Sequence, residues 1–198
     1  MGLLDVILGR TKPVEANLDR LFALPGARIT LEASEGLVPT GQAGVCFKPS
    51  AGQGFAETEQ EIAEMLSGDG SSTPVKLSEE ADQYGYRWVI VEDADFDSLV
   101  TRTHFVNSTL REHGYGPQLL CSVFGFSPAS APGPGQRAPA TTYLVYLYKR
   151  GTFYPFVLSG PERRDNEAEL RLKAELGSDL GVEPDLERWF PLWGLPVH

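Results

Sequence analysis

The sequence predicts an α+β fold: a mainly antiparallel sheet with flanking helices. Three observations carry that reading. Residues 141–148 (Thr-Thr-Tyr-Leu-Val-Tyr-Leu-Tyr), the turn signal Lys149-Arg150-Gly151 and the returning 152–158 spell a hairpin. Residues 118–126 are too continuously apolar for a surface strand and belong in the middle of a sheet. Residues 96–113 place Phe96, Leu99, Val100, Val106 and Leu110 on one helical stripe.

Taken in order, residues 2–9 read as a short apolar helix with Leu4, Ile7 and Leu8 on one face. A second helix, about 13–23, opens with Pro13 and stops before Pro25-Gly26. Ile29, Leu31 and Ala33 alternate with Arg28, Thr30 and Glu32, so 27–34 reads as a half-buried strand, with 43–48 as its partner. An acidic helix over 55–66 precedes a loop at 67–74. Tyr84 to Val91 is an aromatic strand, and Asp95 caps the helix that Gly114 ends. Four prolines mark 127–140 as a mobile loop that does not divide the chain, because strand sequence resumes at once. Asn166, with Glu169 three residues on, caps a helix to about 177. The tail, 184–198, carries Trp189, Phe190, Leu192 and Trp193 between prolines. The expected organisation is one domain over 1–198, with N-terminal helices in 1–24.

Composition mostly excludes. The chain has 198 residues, 41% of them hydrophobic and 22% charged, which suits a folded domain and not a disordered one. Its net charge of −10 repels nucleic-acid phosphate. One echo of an RNA-stacking strand, Arg150-Gly151-Thr152-Phe153-Tyr154-Pro155-Phe156-Val157, fails at Thr152 and is broken by Pro155, so no nucleic-acid partner is expected. No apolar run approaches the ~20 residues a bilayer span needs. The opening ten residues lack the basic leader and cleavage site of a secretory signal, and Val6 stands where myristoylation wants Ser or Thr. The expectation is a cytoplasmic protein.

The catalytic and metal chemistries find no motif. The histidines are His104, His113 and His198, with no Cys-x-x-Cys, and His104 and His113 lie roughly half a turn out of phase at ~100° per residue. Gly125-Phe126-Ser127-Pro128-Ala129 approaches a nucleophile elbow but fails at its last position and runs into a proline loop. Phosphate-cradling loops are absent. No metal and no cofactor is expected. Cys46 and Cys121 sit in apolar runs as small core residues of a reduced protein, and sequence supplies no distance between them. One alternative enzyme or small-ligand site remains: His104, Asn107 and Arg111, three and four residues apart near one helix face.

What is left is apolarity at the two ends. Leu3, Leu4, Ile7 and Leu8 at the start, and Arg188, Trp189, Phe190 and Trp193 at the end, either fold back onto the domain or dock a partner. Tryptophan and arginine are favoured anchors in protein contacts.

Several stretches stand out together: the opening Met-Gly-Leu-Leu-Asp-Val-Ile-Leu-Gly-Arg, Leu21 to Pro25, Gly36 to Gly41, Val106 to Leu110 and Gly116 to Cys121. Further on come Tyr146 to Phe156, Arg163-Arg164-Asp165-Asn166 and Trp189 to Gly194. In these stretches the chain resembles the PspA-associated protein B family of bacteria. The resemblance implies a non-enzymatic accessory of an envelope-stress system that acts with PspA, a coiled-coil peripheral membrane protein. It brings no catalytic residues. The order of elements is also similar to that of YbjN and the type III secretion chaperones, whose α+β domains dimerise and bind proteins, so a homodimer is expected.

Overall fold

The computed structural model describes residues 17–48, 64, 76–77, 82–130 and 141–198. The expected helix over 2–9, the acidic helix over 55–66 except Glu64, the 67–74 loop and residues 131–140 of the proline-rich loop lie outside the described residues.

Among the described residues, seven strands form one sheet: β1 (Leu37–Phe47), β2 (Lys76–Leu77), β3 (Arg87–Glu92), β4 (Leu119–Pro128), β5 (Thr141–Leu147), β6 (Thr152–Gly160) and β7 (Arg163–Arg164). Their order is β2-β3-β1-β4-β5-β6-β7, and every neighbouring pair is antiparallel. The α-helices delimited among the described residues, α1 (Leu24–Glu35), α2 (Phe96–Leu110) and α3 (Asn166–Leu176), accompany it, and Glu64 is also helical. The fold is α+β, as the hairpin-rich sequence predicts.

The strand expected over 27–34 is instead α1, which follows directly on a 3₁₀ turn at Leu18–Ala23. Its buried residues, Leu24, Ala27 and Leu31, are three and four apart, while Ile29 is 60% exposed. The apparent alternation at 29, 31 and 33 is a coincidence within a helical period. Pro25 does not stop a helix. It sits in the first turn, where its missing N–H costs nothing, and Gly36 at φ 63° closes the C-terminus. Of the residues at 43–48, those at 43–47 therefore pair not with 27–34 but with β3 and β4, as part of the longer β1.

Other elements follow local chemistry. Asp95 caps α2 by accepting the Ser98 N–H at 2.9 Å. At α3 the cap is Asp165, one residue before the expected Asn166, and it accepts the Ala168 N–H at 3.0 Å. Glu169 is then free for a different task, described below. Pro155 lies where β6 has a ladder partner on the β5 side only, since β7 meets it at Leu158 and Gly160.

Both faces of the sheet are buried, which is why β4, β5 and β6 read as continuous apolar runs. Phe124, Phe126, Leu144, Tyr146 and Phe153 face the core under the helices. Cys121, Val123, Tyr143, Val145, Tyr154 and Phe156 face the other way and are covered together with Trp189, Leu195 and Val197 from the tail.

Candidate functional site

The tail is broken by Pro184, Pro191 and Pro196, so it cannot add a regular strand to the sheet. Its carbonyls still need partners, and side chains of the sheet supply them. Tyr154 Oη donates to the Phe190 carbonyl at 2.8 Å, Arg164 Nη1 to the Trp189 carbonyl at 2.5 Å, and Tyr143 Oη to the Val197 carbonyl at 3.1 Å. Burial pushes both phenols above their ordinary range, which keeps them protonated as donors. The result is a strap across the outer face of the sheet.

Packing tightens it. Trp189, 4% exposed, stacks on Tyr154 with ring centroids 5.8 Å apart, a contact worth about 0.5–1.5 kcal/mol beyond its burial. Val197 fills a hollow over Gly44, where an added Cβ would lie 2.8 Å from Val197 Cγ2.

Two buried carboxylates root the strap. Glu183 accepts from Thr152 Oγ1 at 2.7 Å, from the Asp185 N–H at 3.3 Å and from Arg150 Nε at 3.4 Å, and pairs with Arg188 Nη1 at 3.5 Å. Burial alone would raise its pKa, but the bonds from Thr152, Asp185 and Arg150 outweigh it and hold the carboxyl below its ordinary 4.5. Glu169 takes Arg164 Nε at 2.9 Å and Nη2 at 2.8 Å, and also accepts the Val157 N–H at 3.0 Å. Arg164 thereby links α3, the sheet and the strap.

The strap leaves part of the sheet open as a cleft of about 520 Å³. Tyr84, Tyr86, Trp88, Tyr154, Phe190 and Trp193 line its walls, while Cys46, Leu120, Cys121 and Leu147 from β1, β4 and β5 form the floor. Lys149, Arg150 and Arg188 bring cations to it, and Asp82 a carboxylate. Asp82 builds one wall. Its Oδ1 accepts the N–H groups of Tyr84 and Tyr86, each at 2.9 Å, and its Oδ2 accepts Trp88 Nε1 at 3.0 Å. Phe190 and Tyr84 are 57% and 51% exposed, so the lips present aromatic surface to solvent. An apolar interior with a few charged groups at the rim is the composition of a site that holds an apolar group by burial and orients it by charge.

Of the residues singled out from sequence, Arg188, Phe190 and Trp193 line this cleft. Trp189 does not: its ring is turned under the strap, and its Nε1 donates to the Glu183 carbonyl at 3.0 Å. Leu3, Leu4, Ile7 and Leu8 lie outside the described residues. The trio His104, Asn107 and Arg111 is not assembled. Asn107 is buried, its Nδ2 donating to the Thr103 carbonyl at 2.8 Å and to Ser122 Oγ at 2.9 Å. His104 faces Asp19 at 3.5 Å and the Phe22 ring at 4.9 Å, and Arg111 is exposed. Among the described residues, no group of three or more His, Cys, Asp or Glu is placed to hold a metal ion, and no helix is long and apolar enough to cross a membrane.

Sequence reasoning missed Tyr84, Tyr86, Trp88, Leu120, Leu147 and Tyr154 as cleft residues, and did not bring Cys46 to Cys121. The available signal was that successive positions of β4, β5 and β6 are apolar. Such strands are covered on both faces. The aromatic tail is rich enough in apolar residues to serve as the second cover.

The chain is thus an α+β protein with one antiparallel sheet, helices on one face, and a strap with an open aromatic cleft on the other. It belongs to the family of PspA associated protein B, whose sequence model matches residues 1–197. No curated protein matches the chain, and no solved structure matches it.

Proposed function

We propose that this chain is a non-catalytic partner of PspA in the cell-envelope stress (phage-shock) response, and that it grips PspA through the strap cleft. The observation that carries the reading is the cleft itself: exposed aromatic lips over an apolar interior, with basic residues at its edge, on a chain whose family is named for association with PspA. An amphipathic helix of a coiled-coil partner suits such a site. Its apolar face enters the cleft and its acidic flank meets Lys149, Arg150 and Arg188. The reading places the chain in the cytoplasm and brings it to the inner membrane face only through PspA. It includes a homodimer, for which Phe22, Ile29 and Phe105, exposed at 48%, 60% and 41% on the helix side, offer apolar surface.

The test is titration of purified PspA into the full chain by calorimetry, with light scattering for the oligomer. Phe190→Ala and Tyr84→Ala remove exposed rings and leave the strap's carbonyl bonds in place. Truncation of an anchor costs about 2 kcal/mol or more, so each variant is expected to bind roughly thirtyfold more weakly or worse. Failure of the unaltered chain to bind PspA refutes the partner, and equal binding by both variants refutes the cleft.

A further inference from the structure

Two thiols meet on the cleft floor. Cys46 of β1 stands directly opposite Cys121 of β4 in the antiparallel register. Residues so paired have Cα atoms about 4.5 or 5.5 Å apart, according to their place in the ladder. Both separations fall within the ~4.4–6.8 Å that a disulfide spans. Both side chains belong to the same buried cluster, so the two thiols lie on the same face of the sheet. Both cysteines are free, 2% and 6% exposed, and both line the cleft.

We propose that Cys46 and Cys121 are a reversible redox site, oxidised to a cross-strand disulfide by a small carboxylate-bearing disulfide that enters the cleft. The site does not rest on the identity of any protein partner. Cys121 is the more exposed and attacks first. It gives up its proton, its sulfur bonds to one sulfur of R–S–S–R, and RS⁻ leaves and takes up a proton. Cys46 then gives up its proton and attacks the Cys121 sulfur, expelling the second RS⁻, which also takes up a proton. One S–S bond forms in the protein and one breaks in the reagent. Two electrons pass to the reagent, which departs as two RSH molecules.

The surroundings fit that order. Its neighbour Cys121, burial and the charge of Asp82 all push the Cys46 thiol up, which suits it to the second, resolving step. Lys149, Arg150 and Arg188 line the same cleft and attract the carboxylates of a reagent such as glutathione disulfide.

The experiment exposes the full chain to glutathione disulfide in native buffer. Free thiols are then trapped with an alkylating agent, and the intact protein and its peptides are weighed by mass spectrometry. The expected product is lighter by two hydrogens, yields a linked Cys46–Cys121 peptide, and returns to two alkylatable thiols with dithiothreitol. Cys46→Ala is expected to stop at a mixed disulfide on Cys121, and Cys121→Ala to react about tenfold more slowly or worse. Full alkylation of both cysteines, links only between chains, or a mixed disulfide that never closes in the unaltered chain overturns the proposal. Equal rates in the two variants overturn the order of attack. Where a variant fails to fold, the unaltered chain alone still decides whether the disulfide forms.

Discussion

Replacing Glu169 by alanine should destabilise the fold by stranding the guanidinium that holds the strap. Glu169 is 3% exposed and its partner Arg164 is 18% exposed. The substitution removes both bonds to the guanidinium, at 2.9 and 2.8 Å, and leaves the Val157 N–H without its acceptor. Breaking a buried ion pair from one side costs about 3–5 kcal/mol, because a charge is stranded. The low end applies here, since Arg164 keeps the Trp189 carbonyl and lies 5.2 Å from the Phe156 ring centroid. A loss of about 3 kcal/mol corresponds to a fall in Tm of roughly 6–12 °C for a chain of this size. The assay is urea unfolding followed by circular dichroism and by tryptophan fluorescence. A cycle with Arg164→Met adds a sign. The double variant Arg164→Met with Glu169→Ala should be more stable than Glu169→Ala alone, because no charge is stranded. A loss below about 1 kcal/mol in the single variant, or a double variant weaker than it, would refute the claim that Arg164 and Glu169 act as a buried pair.

Acid should loosen the other root. The Glu183 pKa is held below its ordinary 4.5, so its contribution is fully present above that value and disappears as pH falls through the lower folded value. A change in Trp189 emission in that acid window, absent in Glu183→Gln, is the expected signature. Gly44→Ala places a Cβ 2.8 Å from Val197 Cγ2 and 3.1 Å from the Trp88 ring, so about 1–3 kcal/mol should be lost and hydrogen exchange should accelerate at residues 195–198. Asn107→Ala strips Ser122 Oγ of its 2.9 Å donor in a buried site and should lower stability by about 2–3 kcal/mol in urea unfolding.

What the sequence reveals is what is local. The α2 stripe and its Asp95 cap, the β5–β6 hairpin and the central place of β4 rest on residues close together in the chain, where period and capping chemistry decide. α1 reads wrongly as a strand because Ile29, Leu31 and Ala33 satisfy a period of two within a helix whose buried residues are Leu24, Ala27 and Leu31. Position 166 loses the cap to its neighbour Asp165, since either side chain can accept a first-turn N–H and the helix begins one residue earlier. The cleft is illegible for another reason. Its wall at 82–88, its floor at 46, 120–121 and 147, and its lip at 188 and 190–193 are separate stretches joined only by the sheet. The terminal aromatic cluster does need cover or use, as its composition implies. Folding splits the two outcomes by side chain, with Trp189 packed and Phe190 exposed.

The manner in which the strap is held separates two kinds of change. Tyr154, Arg164 and Tyr143 grasp carbonyl oxygens at positions 190, 189 and 197, groups that every amino acid possesses. At Phe190 the anchorage is therefore indifferent to what the ring is, and that ring projects outward. A lineage can redraw the lip of its cleft without renegotiating the architecture behind it, so recognition at this position is free to diversify while the scaffold stays constant.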